Sequence, residues 1–149
     1  MNPPIERYSF IGGYLYQRRI YFMKENRIKV LKVAPFTTPE VCWLDNHLRA
    51  LQEAVSIGAD YVGLIEVIGL EDERACIICN EEGKLIGLPL NRWIGYDIIS
   101  GVFYVVGQDE DRNFISLSKE QIAYYKKKFE HAEYFIPDER GGIIVLKIS

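Results

Sequence analysis

The sequence predicts an α+β fold: a single domain with a largely antiparallel sheet, a mixed one being left open, and two amphipathic helices. Three observations carry this. Short alternating or wholly apolar runs, "RIKVLKV", "RACIICN", "YDIISGVFYVVG" and "IIVLKI", read as strands. Two stretches with helical spacing stand apart from each other. Strands are grouped rather than alternating regularly with helices, which disfavours a parallel doubly wound sheet.

In chain order, "RIKVLKV" puts Ile28, Val30 and Lys32 on one face and Lys29, Leu31 and Val33 on the other. "APFTTPE" breaks the strand, since Pro35 and Pro39 keep their predecessors extended. "EVCWL" is a second short strand. Asp45 or Asn46 can cap a helix in which Leu48, Leu51 and Val55 form one apolar stripe, and Gly58 ends it. "DYVGLIEVIGL" is a strand, "LEDER" a charged turn, and "RACIICN" a strand apolar on both faces, hence buried. In "NEEGK", Asn80 opens a turn and Gly83 supplies a positive φ. "KLIGL" is expected to return as a strand paired with residues 74–79. "YDIISGVFYVVG" reads as one strand in which Gly101 marks a bulge. "FISL" is short. "SKEQIAYYKKKFEHA" is a helix opened by a Ser118–Gln121 capping box, with Ile122, Tyr125 and Phe129 inward and Lys126 to Lys128 on the wet side. "PDERGG" is a turn and "IIVLKI" a final buried strand.

The chain has 149 residues, of which 48% are hydrophobic, enough for a core without disulfide staples. A net charge of −3 makes nucleic acid an unfavoured partner. There is no run of 18 or more apolar residues, so no membrane-spanning helix is expected. The start has no basic region ahead of a clean apolar block, which predicts a cytoplasmic protein with reduced thiols. The odd count of 3 cysteines agrees.

Residues 1–22 read in two ways. They can be a mis-called leader, with translation starting at Met23, because adjacent Arg18 and Arg19 codons can form a ribosome-binding sequence at suitable spacing. They can equally be an N-terminal hairpin extension, "FIGGYLY", turning at Gly12-Gly13. Residues 23–149 then form the single α+β domain.

No catalytic constellation emerges. Cys76 and Cys79 form a C-x-x-C, but i and i+3 on a strand point to opposite faces, and no second pair completes a zinc shell. Buried small hydrophobes are the favoured reading. His47 and His131 each lack a positioned nucleophile. Asp109, Glu110 and Asp111, like Glu71, Asp72 and Glu73, suit solvated turns better than a calcium loop. Lys126 to Lys128 beside Tyr124 and Tyr125 read as a helix's wet face. No metal, cofactor or phosphate-loop motif is predicted. The segment "GLPLNRWIG" is the candidate binding loop: Pro89 ends or edges a strand, and Asn91, Arg92 and Trp93 follow on an irregular segment. The competing view is that Trp93 packs into the core and Arg92 meets a carboxylate.

"ACIICNEEGKLIGLPLNR", then "DIISGVFYVVG" and "FISLSKEQI", resembles the uncharacterised bacterial and phage family called domain of unknown function 3846. The matching positions include Asn80, Glu81, Glu82, Gly83, Gly87, Leu88, Pro89, Asn91, Arg92, Ile99, Gly101, Ser116, Leu117, Ser118, Glu120 and Gln121. The resemblance covers roughly residues 26–129, leaving residues 1–22 and the tail from about 131 outside. It implies a mobile-element setting and no particular reaction. The expected function is a non-enzymatic accessory protein of a phage, plasmid or conjugative element acting through a protein partner, with modulation of a host or defence protein as one version. The alternative is a small-ligand or nucleotide-binding domain, with enzymatic activity left open, in which Asn91 and Arg92 hold an anion through the guanidinium fork. Nucleic-acid binding through Lys126 to Lys128 ranks last. Oligomeric state is not predicted.

Overall fold

A computed structural model describes residues 5–11, 14–20 and 26–148, the first two stretches as backbone only. β1 (Ile5–Ile11) and β2 (Tyr14–Ile20) pair antiparallel as a two-stranded sheet. The Gly12-Gly13 turn and Met23, on which the two readings of residues 1–22 hinge, lie outside the described residues.

The body of the protein is an antiparallel sheet built from β3 (Arg27–Val33), β4 (Glu40–Asp45), β5 (Ile65–Gly69), β6 (Ala75–Asn80) and β9 (Phe103–Gln108), in the order β4-β3-β9-β6-β5. β10 (Phe114–Ile115) adds to β9. The two strands that are apolar on both faces, β6 and β9, lie side by side at the centre, and Ile77 stands opposite Val105. That is where such strands must go, because either face turned to water would expose a row of aliphatic groups. Alternation then sorts the side chains. Leu31, Val33, Ile77, Phe103 and Val105 form one core with Tyr125 and Phe129 of α2 (Lys119–Lys128). Ile28, Val30, Cys76, Ile78, Tyr104 and Val106 form another with Leu51 of α1 (Leu48–Ala54) and with Val55. Each fully buried aliphatic or aromatic side chain contributes roughly 1.5–3 kcal/mol.

The helices start where short-range chemistry allows. Ser118 Oγ accepts from Gln121 N at 3.1 Å and the Gln121 side chain accepts from Ser118 N at 2.9 Å, closing both ends of the capping box. α1 is capped not by Asp45 or Asn46 but by His47, whose Nδ1 accepts from Ala50 N. Gly58, at φ +86, follows α1.

Four local expectations are corrected. "KLIGL" is not a strand: after β6 the chain coils, with Ile86 N donating to the Glu82 carbonyl and Leu88 N to that of Gly83. Both edges of β6 are already taken by β5 and β9. "YDIISGVFYVVG" is two strands, β8 (Ile98–Ser100) and β9, broken at Gly101 with φ +84. β8 pairs instead with β7 (Leu90–Trp93). "EYFIP" belongs to an unforeseen strand, β11 (Ala132–Pro137), which pairs with β12 (Ile143–Ile148) across the "PDERGG" turn. β12 is largely exposed rather than buried. Among the described residues no helix is long and apolar enough to cross a membrane.

Candidate functional site

β7 delivers the predicted trio to very different places. Asn91 and Arg92 are fully buried, whereas Trp93 remains 46% exposed. The Asn91 side-chain amide donates to the carbonyls of Val33 (2.9 Å) and Gly101 (2.8 Å), tying β7 to the end of β3 and to the β8–β9 break. Its Oδ1 accepts from Arg92 Nη1 at 2.9 Å. Arg92 Nη2 donates to the Thr37 carbonyl at 2.6 Å and to the Phe129 carbonyl at 2.9 Å, and Nε donates to Phe129 as well. Phe129 is the C-cap of α2, where unpaired carbonyls and the helix dipole favour a cation. Burial pulls the guanidinium pKa down, and the nearby Glu133 carboxylate pushes it back up. Arg92 therefore spends its fork on carbonyls of its own chain, and together with Asn91 it cross-braces β3, the 34–39 loop, the β8–β9 break and α2.

Trp93 does a different job. Its backbone N–H donates to Glu133 Oε1 at 3.0 Å, and Glu133 is a buried carboxylate on β11. The "NRW" segment thus mounts the β11–β12 hairpin on the domain. On that hairpin Glu133, Phe135 and Val145 share one face, while Tyr134, Ile136, Ile144, Leu146 and Ile148 share the other. All five on the second face are exposed, and the Phe36 ring extends the patch by lying 5.1 Å from that of Tyr134. These six residues are 41–51% exposed and carry no charge. Phe36 holds φ 65, a left-handed conformation that costs a bulky residue on the order of 1–2 kcal/mol and places its ring in this patch. Among the described residues β12 has no strand partner on its outer edge.

Elsewhere the side chains with chemical potential are dispersed. Cys76 and Cys79 sit in opposite cores, and burial pushes both thiols up to about 12, so they are neutral near pH 7. His47 caps α1, and His131 lies 3.2 Å from Glu130. Asp109 folds back onto Asp111 N and Asn113 N at 2.9 Å each, holding the β9–β10 loop. Among the described residues no three His, Cys, Asp or Glu side chains gather as metal ligands. Sequence reasoning missed this exposed apolar face. Its signal was present in two runs of β-branched and aromatic residues, "EYFIP" and "IIVLKI", flanking a Gly-containing turn.

The fold and site define an α+β domain: a central antiparallel sheet with α1 on one face and α2 on the other, carrying a mounted hairpin with one uncovered apolar face. The chain belongs to the family described as Domain of unknown function (DUF3846), which matches residues 28–130. No curated protein and no solved structure matches it. The matched segment ends just ahead of β11, so of the six patch residues only Phe36 falls inside it.

Proposed function

We propose that this protein is a non-enzymatic accessory protein of a phage, plasmid or conjugative element that works by binding another protein through the β11–β12 face. The observation that carries the docking reading is the uncharged patch of Phe36, Tyr134, Ile136, Ile144, Leu146 and Ile148 beside the open edge of β12. The mobile-element setting comes from the family resemblance alone. Six side chains about half exposed amount to roughly 500 Å² on this side, within the range of a monomer's largest and often functional patch. With an equal contribution from the partner the interface reaches about 1,000 Å², the scale of a transient complex and well below the roughly 2,000 Å² or more of an obligate dimer. The occupant that fits is an extended apolar segment of a different protein, added to β12 as a strand and covering the patch with its alternate side chains.

The test uses the full chain and an Ile144→Asp/Leu146→Asp variant of unchanged circular dichroism. Host proteins captured by the wild type are purified and titrated against both forms by calorimetry, and each form alone is sedimented. The reading expects a monomer and a one-to-one complex weakened more than tenfold by the variant. Equal affinity for both forms overturns it. A self-association abolished by the variant assigns the face to a second copy and overturns it too.

A further inference from the structure

A cavity of about 420 Å³ opens between the turn that joins β5 to β6 and the outer side of α2. Its lining shares no residue with the β11–β12 face. The two walls are tied together: Asp72 Oδ1 accepts from Arg74 N at 2.9 Å, its Oδ2 accepts from Gln121 Nε2 at 3.1 Å, and the same nitrogen donates to the Arg74 carbonyl. Leu70 and the exposed Tyr124 ring supply apolar surface.

The feature that marks the space as a site is Tyr125, which lines it. Only 2% of this residue is exposed, and its ring packs in the core against Phe129. Its hydroxyl nevertheless has no hydrogen-bond partner among the described residues, and it is not sealed in as the Ser100 hydroxyl is. Burial first, then Asp72, Tyr124, Cys76 and Glu71, raise its pKa to about 12, so it is a neutral phenol near pH 7. Three of those four neighbours line the cavity, which puts the oxygen on the cavity side. A hydroxyl so placed lacks the hydrogen bond that protein or water gives almost every buried polar group. Charge then narrows the class. Glu71, Asp72 and Glu120 line the space against the single ammonium of Lys128, whose Nζ lies over the Phe129 ring. Asp72 is spent on the tie, while Glu71 and Glu120 have no partner among the described residues. Glu120 stands in the first turn of α2, where the helix dipole alone accounts for it. The carboxylates therefore set the sign of the ligand, and the Tyr125 hydroxyl is what calls for one.

We propose that this cavity binds an alkylguanidinium group, the head of an arginine residue or of a free arginine-derived amine. One N–H donates to Tyr125 Oη, others donate to Glu71 and Glu120, and the flat face lies on the Tyr124 ring with the alkyl stem along Leu70. A guanidinium carries its donors around a planar, weakly hydrated face that stacks on aromatic rings, whereas an ammonium is a compact, strongly hydrated charge. The carboxylate excess selects against anions. An apolar wall with a few convergent polar groups is what orients a ligand.

The experiment titrates the full chain with n-butylguanidinium, n-pentylamine and pentanoate, read by calorimetry and amide chemical shifts. The expected result is saturable one-to-one binding of n-butylguanidinium with shifts centred on residues 70–72 and 120–125. n-Pentylamine should bind more weakly and pentanoate not at all. Tyr125→Phe, which deletes only the hydroxyl, should weaken the guanidinium about fivefold at unchanged circular dichroism. Glu71→Gln/Glu120→Gln, changed at the surface, should weaken it by a similar factor of about five, and decides alone if Tyr125→Phe unfolds. The blocked tripeptide acetyl-Gly-Arg-Gly-amide separates the two sources: binding tighter than n-butylguanidinium assigns the group to a peptide, weaker binding to a free molecule. No saturable binding at millimolar concentration, shifts centred elsewhere, or equal affinity for n-pentylamine overturns the proposal. So does a folded Tyr125→Phe of unchanged affinity, the mark of a hydroxyl that only holds water. None of these variants touches the β11–β12 face, so partner binding survives or fails independently.

Discussion

Arg92 closes the C-terminal end of α2: its Nε and Nη2 both donate to the carbonyl of Phe129, at 3.3 and 2.9 Å. A helix end that would otherwise present orphan carbonyls to an apolar core is satisfied by a residue 37 positions earlier. Arg92→Ala leaves the Phe129 and Thr37 carbonyls and Asn91 Oδ1 without their donor and opens a cavity. The expected loss is about 3–5 kcal/mol. Arg92→Lys keeps the charge but not the fork and should fall between wild type and alanine. Urea denaturation of the three proteins checks the order, and an alanine loss under about 1 kcal/mol would refute the bracing role.

Gly101 and Gly141 share nearly the same backbone angle, φ +84 and +83, but not the same surroundings. A Cβ at Gly101 would meet Leu88 Cδ1 at 2.8 Å, whereas nothing lies within 4 Å at Gly141. Gly141→Ala should therefore cost only the conformational strain, about 1–2 kcal/mol, and Gly101→Ala that plus the displacement of Leu88. Thermal unfolding of both variants measures the difference, and equal losses would contradict the packing argument.

Cys76 and Cys79 are pushed up to about 12 from an ordinary value of 9.0, foremost by burial. An acid held protonated in the folded state releases its proton when the chain unfolds above pH ~9. The folded state then binds more protons, so stability is full below that pH and falls as pH rises towards 12. Each thiol steepens the fall by up to about 1.4 kcal/mol per pH unit. Denaturant midpoints between pH 7 and 10.5 for the wild type and Cys79→Ala test this; the variant, whatever its loss at neutral pH, should show the shallower alkaline limb.

Leu146→Asp replaces a side chain that is already 44% exposed. Folding stability should change by about 0.5 kcal/mol or less, while binding of a dye that reports exposed apolar surface should drop as the patch is broken. A large loss of stability would mean that the face is covered within the molecule.

Short-range chemistry was legible in the residues. Ser118 and Gln121 announced the start of α2, and the alternation of Ile28, Val30, Leu31 and Val33 sorted β3 onto its two cores. Asn80 marked a turn, its carbonyl accepting from Gly83 N, but Gly83 does not hold the positive φ expected of it and is needed instead for its close approach to the Ser100 carbonyl. Whether the chain returns as a strand depends on a free edge, and β5 and β9 decide that from 11 or more positions away. Hydropathy could not separate β12 from a core strand, because a buried strand and an uncovered one have the same composition until it is known what lies over them. Arg92 looked available for the same reason: its carbonyl partners at Thr37 and Phe129 come from distant loop and helix ends. Ser100 and Glu133 carried no local signal.

The central position of β9 has a consequence for synthesis on the ribosome. The segments that become β3–β4 and β5–β6 are translated well before residues 103–108, yet β9 is the strand that joins them. Two half-sheets must therefore wait, each with one apolar flank open, until that single segment clears the exit tunnel. Elongation pauses after it would favour maturation, and a nascent chain arrested before it would be the form most in need of a chaperone.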